Sequence, residues 1–214
     1  MASIDDLAFA PPTEAPFPAG TSPFRQRGAA YLTDLRYLDA VVKGGRGAVI
    51  EAIPDARARA FFGRRFHTSD WYDAYPGVQI EAAAARLRGM SFERQRRATG
   101  AWHAEDAIHG IYATLLRMVS NENIAVWAPR ISSLYFEFGT TTTRVAGPRE
   151  ILGVRRGIPR ELVQWLMFAS AGFVETTLRL AGARAPQVAF LDVTPDGRDH
   201  QRDLVKVDVR LTWE

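Results

Sequence analysis

The segment Trp102-His103-Ala104-Glu105-Asp106-Ala107-Ile108-His109 holds the densest set of side chains able to move protons or ligate a metal. On a helix, Glu105 and His109 stand four residues apart and Asp106 and His109 three apart, so each pair shares a face. Such a pair is half of a carboxylate-bridged dimetal site. The second Glu-x-x-His type motif and the extra carboxylates that architecture needs find no match in the chain. His103 and His109, six apart, point to different sides and cannot clasp zinc as an i, i+4 pair does. The segment therefore reads first as helix structure, and Glu105, Asp106 and His109 are the residues an acid–base or metal-dependent enzyme would use.

Other constellations are weaker. The chain contains no cysteine, which removes disulfides, thiolate nucleophiles, iron–sulfur clusters and thiolate zinc sites together and fits a reducing, cytoplasmic setting. No Gly-x-Ser-x-Gly elbow, P-loop or dinucleotide fingerprint follows a strand. Gly44-Gly45-Arg46-Gly47 lacks the Lys-Ser/Thr that would hold phosphate and magnesium, and it reads as a turn. His67 and His200 fall in loops or turns. No catalytic residue, metal or cofactor is expected from these patterns. Arg57, Arg59, Arg64, Arg65, Arg86, Arg88, Arg94, Arg96 and Arg97 cluster, but the net charge is only +3 and no recognition-helix or base-stacking motif accompanies them. They read as a solvated helix surface, and no nucleic-acid partner is expected.

The elements that must position these residues follow from composition and period. With 214 residues, 47% hydrophobic and 24% charged, the chain suits one globular domain. No signal peptide is visible, and even the most apolar stretch, Leu162 to Leu180, is interrupted by Gln164, Glu175 and Arg179, so no membrane span is expected. Residues 1–30, with Pro11, Pro12, Pro16, Pro18 and Pro23, predict a flexible Pro-rich arm whose Phe9, Phe17 and Phe24 anchor it onto the domain or a partner. Residues 31–214 form the domain. Short helices precede residue 90, with Thr68, Ser69 or Asp70 capping the last of them. Ser91 and Glu93 open a long helix in which Gly100 is a candidate kink. Ile124 to Phe138 predicts another helix, with Gly139 as its stop. The β-branched run Thr140 to Val145 and Ile151 to Val154 predict a hairpin. A helix to Leu180, apolar on two faces, follows Pro159. Gln187 to Val193 and Leu204 to Trp213 then close the chain as strands joined at Pro195-Asp196-Gly197, the last alternating Val205, Val207, Val209 and Leu211 with polar residues. The fold class is α+β: a helical layer packed on a small antiparallel sheet.

Ser69-Asp70-Trp71-Tyr72 before a helix, Ala104-Glu105-Asp106-Ala107 with Gly110-Ile111-Tyr112, Leu180-Ala181-Gly182-Ala183 and the closing Val209-Arg210-Leu211-Thr212-Trp213 carry a resemblance. Over residues 35 to 214 the chain resembles the uncharacterised myxobacterial paralogous domains related to the heme nitric oxide binding and vinyl-reductase-type (TRAPP-like) ligand-binding superfamily. The resemblance implies helices over an antiparallel sheet, an apolar interior pocket, and sensing or scaffolding rather than turnover. The Tyr-x-Ser-x-Arg motif that grips heme propionates in heme-binding relatives is missing, and His103 or His109 would be the axial candidates for a heme. The cysteine-bearing end of some relatives is replaced by His200 to Leu204.

The expected function is a non-enzymatic regulatory or scaffolding domain that binds an apolar small molecule, a protein partner or both, as a homodimer. Trp71, Tyr72, Trp102, Ile108, Tyr112, Trp127 and Tyr135 are the candidate pocket walls, because aromatic side chains supply buried area with polar tips. Trp165 and Phe168 are candidates for an interface.

Overall fold

A computed structural model of the chain describes Ile4 and residues 15–109 and 124–214; Tyr112 lies outside the described residues, as do the side chains of Ile108 and His109. The part of the Pro-rich segment that is described belongs to the domain. Arg25–Arg27 (β1) pairs antiparallel with Trp71–Asp73 (β2), Gln26 opposite Tyr72. Phe24 is buried, and its ring meets Phe17, Tyr75 and Phe138 at 5.7–6.4 Å between centroids. Aromatic contacts of this kind stabilise beyond the area they bury.

The helical layer is built from Gly28–Val41 (α1), Gly45–Glu51 (α2), Ala56–Phe62 (α3), Tyr75–Leu87 (α4) and Phe92–His109 (α5). Asp55 caps α3 by accepting from Arg57 N. The cap expected at Thr68 to Asp70 falls elsewhere: those residues lead into β2, and Asp73 Oδ1 accepts from Tyr75 N at the head of α4. Asp73 Oδ2 also accepts from Gly20 N at 2.8 Å. Ser91 caps α5 by accepting from Arg94 N. Tyr31, Leu38, Val49, Phe61, Phe62 and Ile80 form the centre of this layer.

Ile124–Tyr135 (α6) leads into the hairpin Thr140–Gly147 (β3) and Glu150–Pro159 (β4). A 3₁₀ turn, Arg160–Leu162, introduces Val163–Leu180 (α7), and Gln187–Asp199 (β5) and Arg202–Thr212 (β6) close the chain. The sheet is antiparallel throughout, in the order β3-β4-β6-β5. The last hairpin is longer than its composition suggests. The turn sits at His200 and Gln201, at φ 43° and 62°, while Pro195 and Gly197 lie in β5 at a register shift. A two-residue turn with both φ positive matches the strand twist even without Asn-Gly.

Helix α7 is sandwiched, as its two apolar faces require. Trp165, Leu166 and Phe168 pack with Val193, Val205 and Val207 of the sheet, so the two residues offered as an interface are core. Its other side crosses α5. At Gly100 of α5 a Cβ would lie 2.8 Å from the Ala169 carbonyl carbon, and one at Gly172 would lie 2.7 Å from that of Arg97. The glycines let two backbones approach where any side chain would hold them apart.

Candidate ligand cavity

Where α5, α6 and α7 meet the inner face of the sheet, they leave a cavity of about 190 Å³. Its walls are mainly apolar, with Ile131 and Tyr135 from α6, Met167 and Phe173 from α7, and Ile151 and Leu211 from the strands. The void exists because Gly100 and Gly172 set the α5–α7 spacing by backbone contact while α6 and the sheet carry larger side chains.

Of the expected pocket residues that are described, only Tyr135 lines the cavity. Tyr135 stands in the cavity wall, its ring 6.2 Å from that of His103. Trp71 lies under the Arg27 guanidinium at 3.7 Å and faces a separate polar groove with Arg64 and Tyr72. The Tyr72 hydroxyl accepts from His67 N, and its ring packs on Phe66. Trp102 packs against Tyr37, 5.7 Å between centroids, with its indole N–H buried and unpartnered. Trp127 is half-buried below Arg130 on α6. Nor do Glu105 and Asp106, the described acid–base candidates, line the cavity. Glu105 is exposed, and Asp106 Oδ2 accepts from Thr33 Oγ1 at 3.0 Å and Arg36 Nη2 at 2.6 Å near the surface. Among the described residues no group of three or more acidic or histidine side chains is arranged to hold a metal.

The cavity's polar walls come from residues outside the expected pocket set, among them His103, one of the two axial candidates. At the α5 end, Asp34, Arg96, Thr99 and His103 line it. His103 Nε2 is 2.7 Å from Asp34 Oδ1. Arg96, only 4% exposed, pairs with the fully buried Glu81 at 2.7 Å, reaches Asp34 at 3.9 Å, and donates through Nε to the Trp165 carbonyl. Glu81 also accepts from Gln95 Nε2 and Thr99 Oγ1. Burial raises the Glu81 carboxyl above its ordinary range although Arg96 pulls the other way; loss of hydration disfavours the anion more than one partner restores it. Arg96 is thus no part of a solvated arginine face. Its neighbour Arg97 is tied to Glu93 and Glu175, while Arg57, Arg64, Arg65, Arg86 and Arg94 are exposed.

At the sheet end the wall contains Arg155 and Gln26. Arg155 occupies the inward phase of β4 with Ile151 and Gly153, just before a register shift at Arg155–Ile158 where Gly157 takes φ +67°. Bulges of this kind re-aim strand side chains. Its Nη1 donates to Ser132 Oγ and to Thr141 Oγ1, and its Nη2 donates to the Phe138 carbonyl at 2.9 Å. Its Nε finds no acceptor. Burial alone pulls the guanidinium down to about 10. The Gln26 amide lies close enough to the Tyr31 hydroxyl to favour its charged form, but Nε2 makes no hydrogen bond.

Sequence signals for these residues existed in the phase of the elements rather than in any motif. Asp34 shares its helix face with Ala30 and Leu38, and Arg155 shares its strand face with Ile151 and Gly153. A charged side chain in register with apolar ones is the mark of a buried polar site.

No family model matches the sequence, and no curated protein matches it. Solved structures do match. The oxygen complex of an oxygen-binding H-NOX domain related to soluble guanylate cyclases gives a TM-score of 0.62 at 12% identity, over 88% of this chain and 95% of that one. A mutant of the T. tengcongensis H-NOX gives 0.62 at 12% identity, over 88% and 97%. A mutant of the Fe(II) unliganded H-NOX protein from K. algicida gives 0.62 at 11% identity, over 88% and 96%. The chain therefore has an H-NOX-like fold.

Proposed function

We propose that this chain is a soluble, cytoplasmic, non-enzymatic sensory domain whose interior cavity takes a small, mainly apolar molecule and passes its occupancy to a protein partner. The observation that carries the reading is the cavity itself: a void of about 190 Å³ with chiefly apolar walls, lying between three helices and a sheet. A cavity of about 150 Å³ lined by aliphatic and aromatic side chains suffices for benzene. Close-packed interiors rarely retain a void this large without use for it.

The neighbouring structures include heme proteins, so heme is the first occupant to test against these residues, and the described walls do not fit it. A tetrapyrrole is four five-membered rings joined in one plane, well beyond a void of benzene scale. Two propionates would need two available cations; Arg96 is already committed to Glu81, and Arg155, held by neutral acceptors, could serve one of them at most. A monocyclic or short-chain molecule suits the space better. An enzymatic role for Glu105, Asp106 and His109 gains no support from the exposed Glu105 or from Asp106, which is held by Arg36.

Native mass spectrometry and an absorbance spectrum of freshly purified protein test this reading. A retained small ligand without a Soret band is the expected result, and the same spectra report whether the domain is the homodimer proposed for it. Ala171, buried on the cavity wall, supplies the control: Ala171→Leu fills the void and displaces the ligand. A Soret band at one heme per chain would end the proposal.

A further inference from the structure

We infer that the free edge of β3 is a docking site for an acidic, extended segment of the partner protein, which joins the four-stranded sheet as one more strand. The inference rests on the proposed function above, which sends the cavity's occupancy to a protein partner, and adds where that partner docks and what its chemistry is.

The two edges of the sheet are finished differently. β5 carries devices that keep an edge from pairing: its Val188 N–H is taken by the Glu175 carboxylate at 2.9 Å, Pro195 has no N–H to offer, and its register with β6 shifts at Phe190–Asp192 and again at Pro195–Arg198. β3 has β4 on one side and, among the described residues, no strand on the other. From Thr140 to Val145 its pairing with β4 is regular and free of proline, and the four consecutive threonines favour extended backbone. An edge of this kind is a template for another strand. It also borders the cavity. Thr141 and Thr143 stand in the cavity wall, so the strand that a bound ligand touches is the strand that a partner would extend.

Charge selects the strand that fits. Between Ile124 and Arg149 the only acid is Glu137, and Arg25 holds it at 2.5 Å. Arg130, Arg144 and Arg149 of the same stretch are exposed, and none of the three pairs with a carboxylate among the described residues. A second copy of β3 would bring more arginines to this edge, whereas an acidic segment neutralises those already there. Apolar contact is available as well. Val145 is 62% exposed and Val126 56%, and α6 is tied to β3 where the Thr143 hydroxyl donates to the Ala125 carbonyl. Arg144 and Val145 are successive on the strand and so point to opposite faces. A segment that alternates acidic with apolar residues matches both faces at once, its backbone supplying affinity and its alternate side chains selectivity.

The probe is a fluorescein-labelled peptide of alternating glutamate and valine, as long as the eight residues of β3, titrated with the full chain by fluorescence anisotropy. Its counterpart with lysine for glutamate is expected to bind at least about tenfold more weakly. The double variant Arg144→Glu/Arg149→Glu is expected to lose about tenfold in affinity for the acidic peptide, the scale of exposed charges turned from attraction to repulsion at two positions. Both side chains are exposed, and the comparison of the two peptides on the unaltered protein decides the charge preference without any variant. N-methylation of every second amide of the acidic peptide removes backbone donors and no charge; in one of its two phases it is expected to abolish binding. Hydrogen exchange in the chain should slow at Thr140 to Val145 when the unmethylated peptide binds. Binding that survives N-methylation in both phases overturns strand addition and leaves a patch of charge. Failure of the acidic peptide to bind, or equal binding of the lysine peptide, overturns the acidic partner, while the ligand retained in native mass spectrometry stands or falls separately. Protection of β3 that grows with protein concentration in the absence of peptide assigns the edge to a second copy and overturns the proposal.

Discussion

Replacing Gly100 by alanine tests the crossing of α5 and α7 on which the cavity depends. In an uncrowded helix interior the change is stabilising by about 0.5–1 kcal/mol, because alanine restricts the unfolded chain and favours the helix. Here the new Cβ would overlap the Ala169 carbonyl oxygen and sit 2.8 Å from its carbon and 3.0 Å from its Cα. Carbon atoms prefer about 3.5–4.0 Å and the oxygen is closer still, so the helices must separate by at least about 1 Å. That separation loosens the Arg96 Nε hydrogen bond to the Trp165 carbonyl, now 3.0 Å, and the packing of α7 on the sheet. Overpacking of this order costs about 1–3 kcal/mol, which outweighs the helix gain, so a net loss of about 1–2 kcal/mol is expected. For a domain of this size the melting temperature falls by about 2–4 °C per kcal/mol. The control is Gly47→Ala, at an exposed position in α2 with no atom within 4 Å of the added Cβ, which should raise the melting temperature by a degree or more. Differential scanning calorimetry on both variants measures the contrast. If Gly100→Ala were stabilised as Gly47→Ala is, the backbone contact would not set the helix spacing and the account of the cavity's origin would fail.

Other changes probe the buried charges and the last turn. Arg96→Met leaves Asp34 and Glu81 facing each other without a cation and should cost on the order of 3 kcal/mol by urea unfolding; a cost below 1 kcal/mol would mean the network carries little charge. Because the folded-state pKa of Glu81 is raised, the protonated carboxyl favours the fold below 4.5, its unfolded value, and that contribution is lost as pH rises above 4.5 through the folded value. The stability of wild type relative to Glu81→Gln should therefore decline as pH climbs from 4.5, and a rise would reverse the assigned direction. Gln201→Gly removes a side chain held at φ 62° and should stabilise the β5–β6 hairpin by about 0.5–1 kcal/mol; destabilisation would assign the Gln201 side chain a contact that offsets the strain.

The sequence by itself determined the longer elements and their order, but not the short strands β1 and β2, which fell in the expected arm and behind the expected cap. Period 3.6 marked α5 and α7, the alternation from Val205 to Leu211 marked β6, and the two apolar faces of α7 required a partner on each side. These are local consequences of side-chain spacing, and the α+β layering follows from where such faces must be buried. It could not determine which side chains share the cavity, because the wall gathers residues from 26 to 211 whose proximity exists only after α5, α7 and the sheet have packed. Aromatic content pointed to Trp102 and Trp127, yet indoles fill space wherever packing leaves it, and these two pack outside the void. Arg155 shows the limit most plainly. Its inward phase on β4 could be read from the sequence, but only the tertiary structure decides that, among the described residues, its hydrogen-bond acceptors are three neutral groups, a property of distant segments brought together.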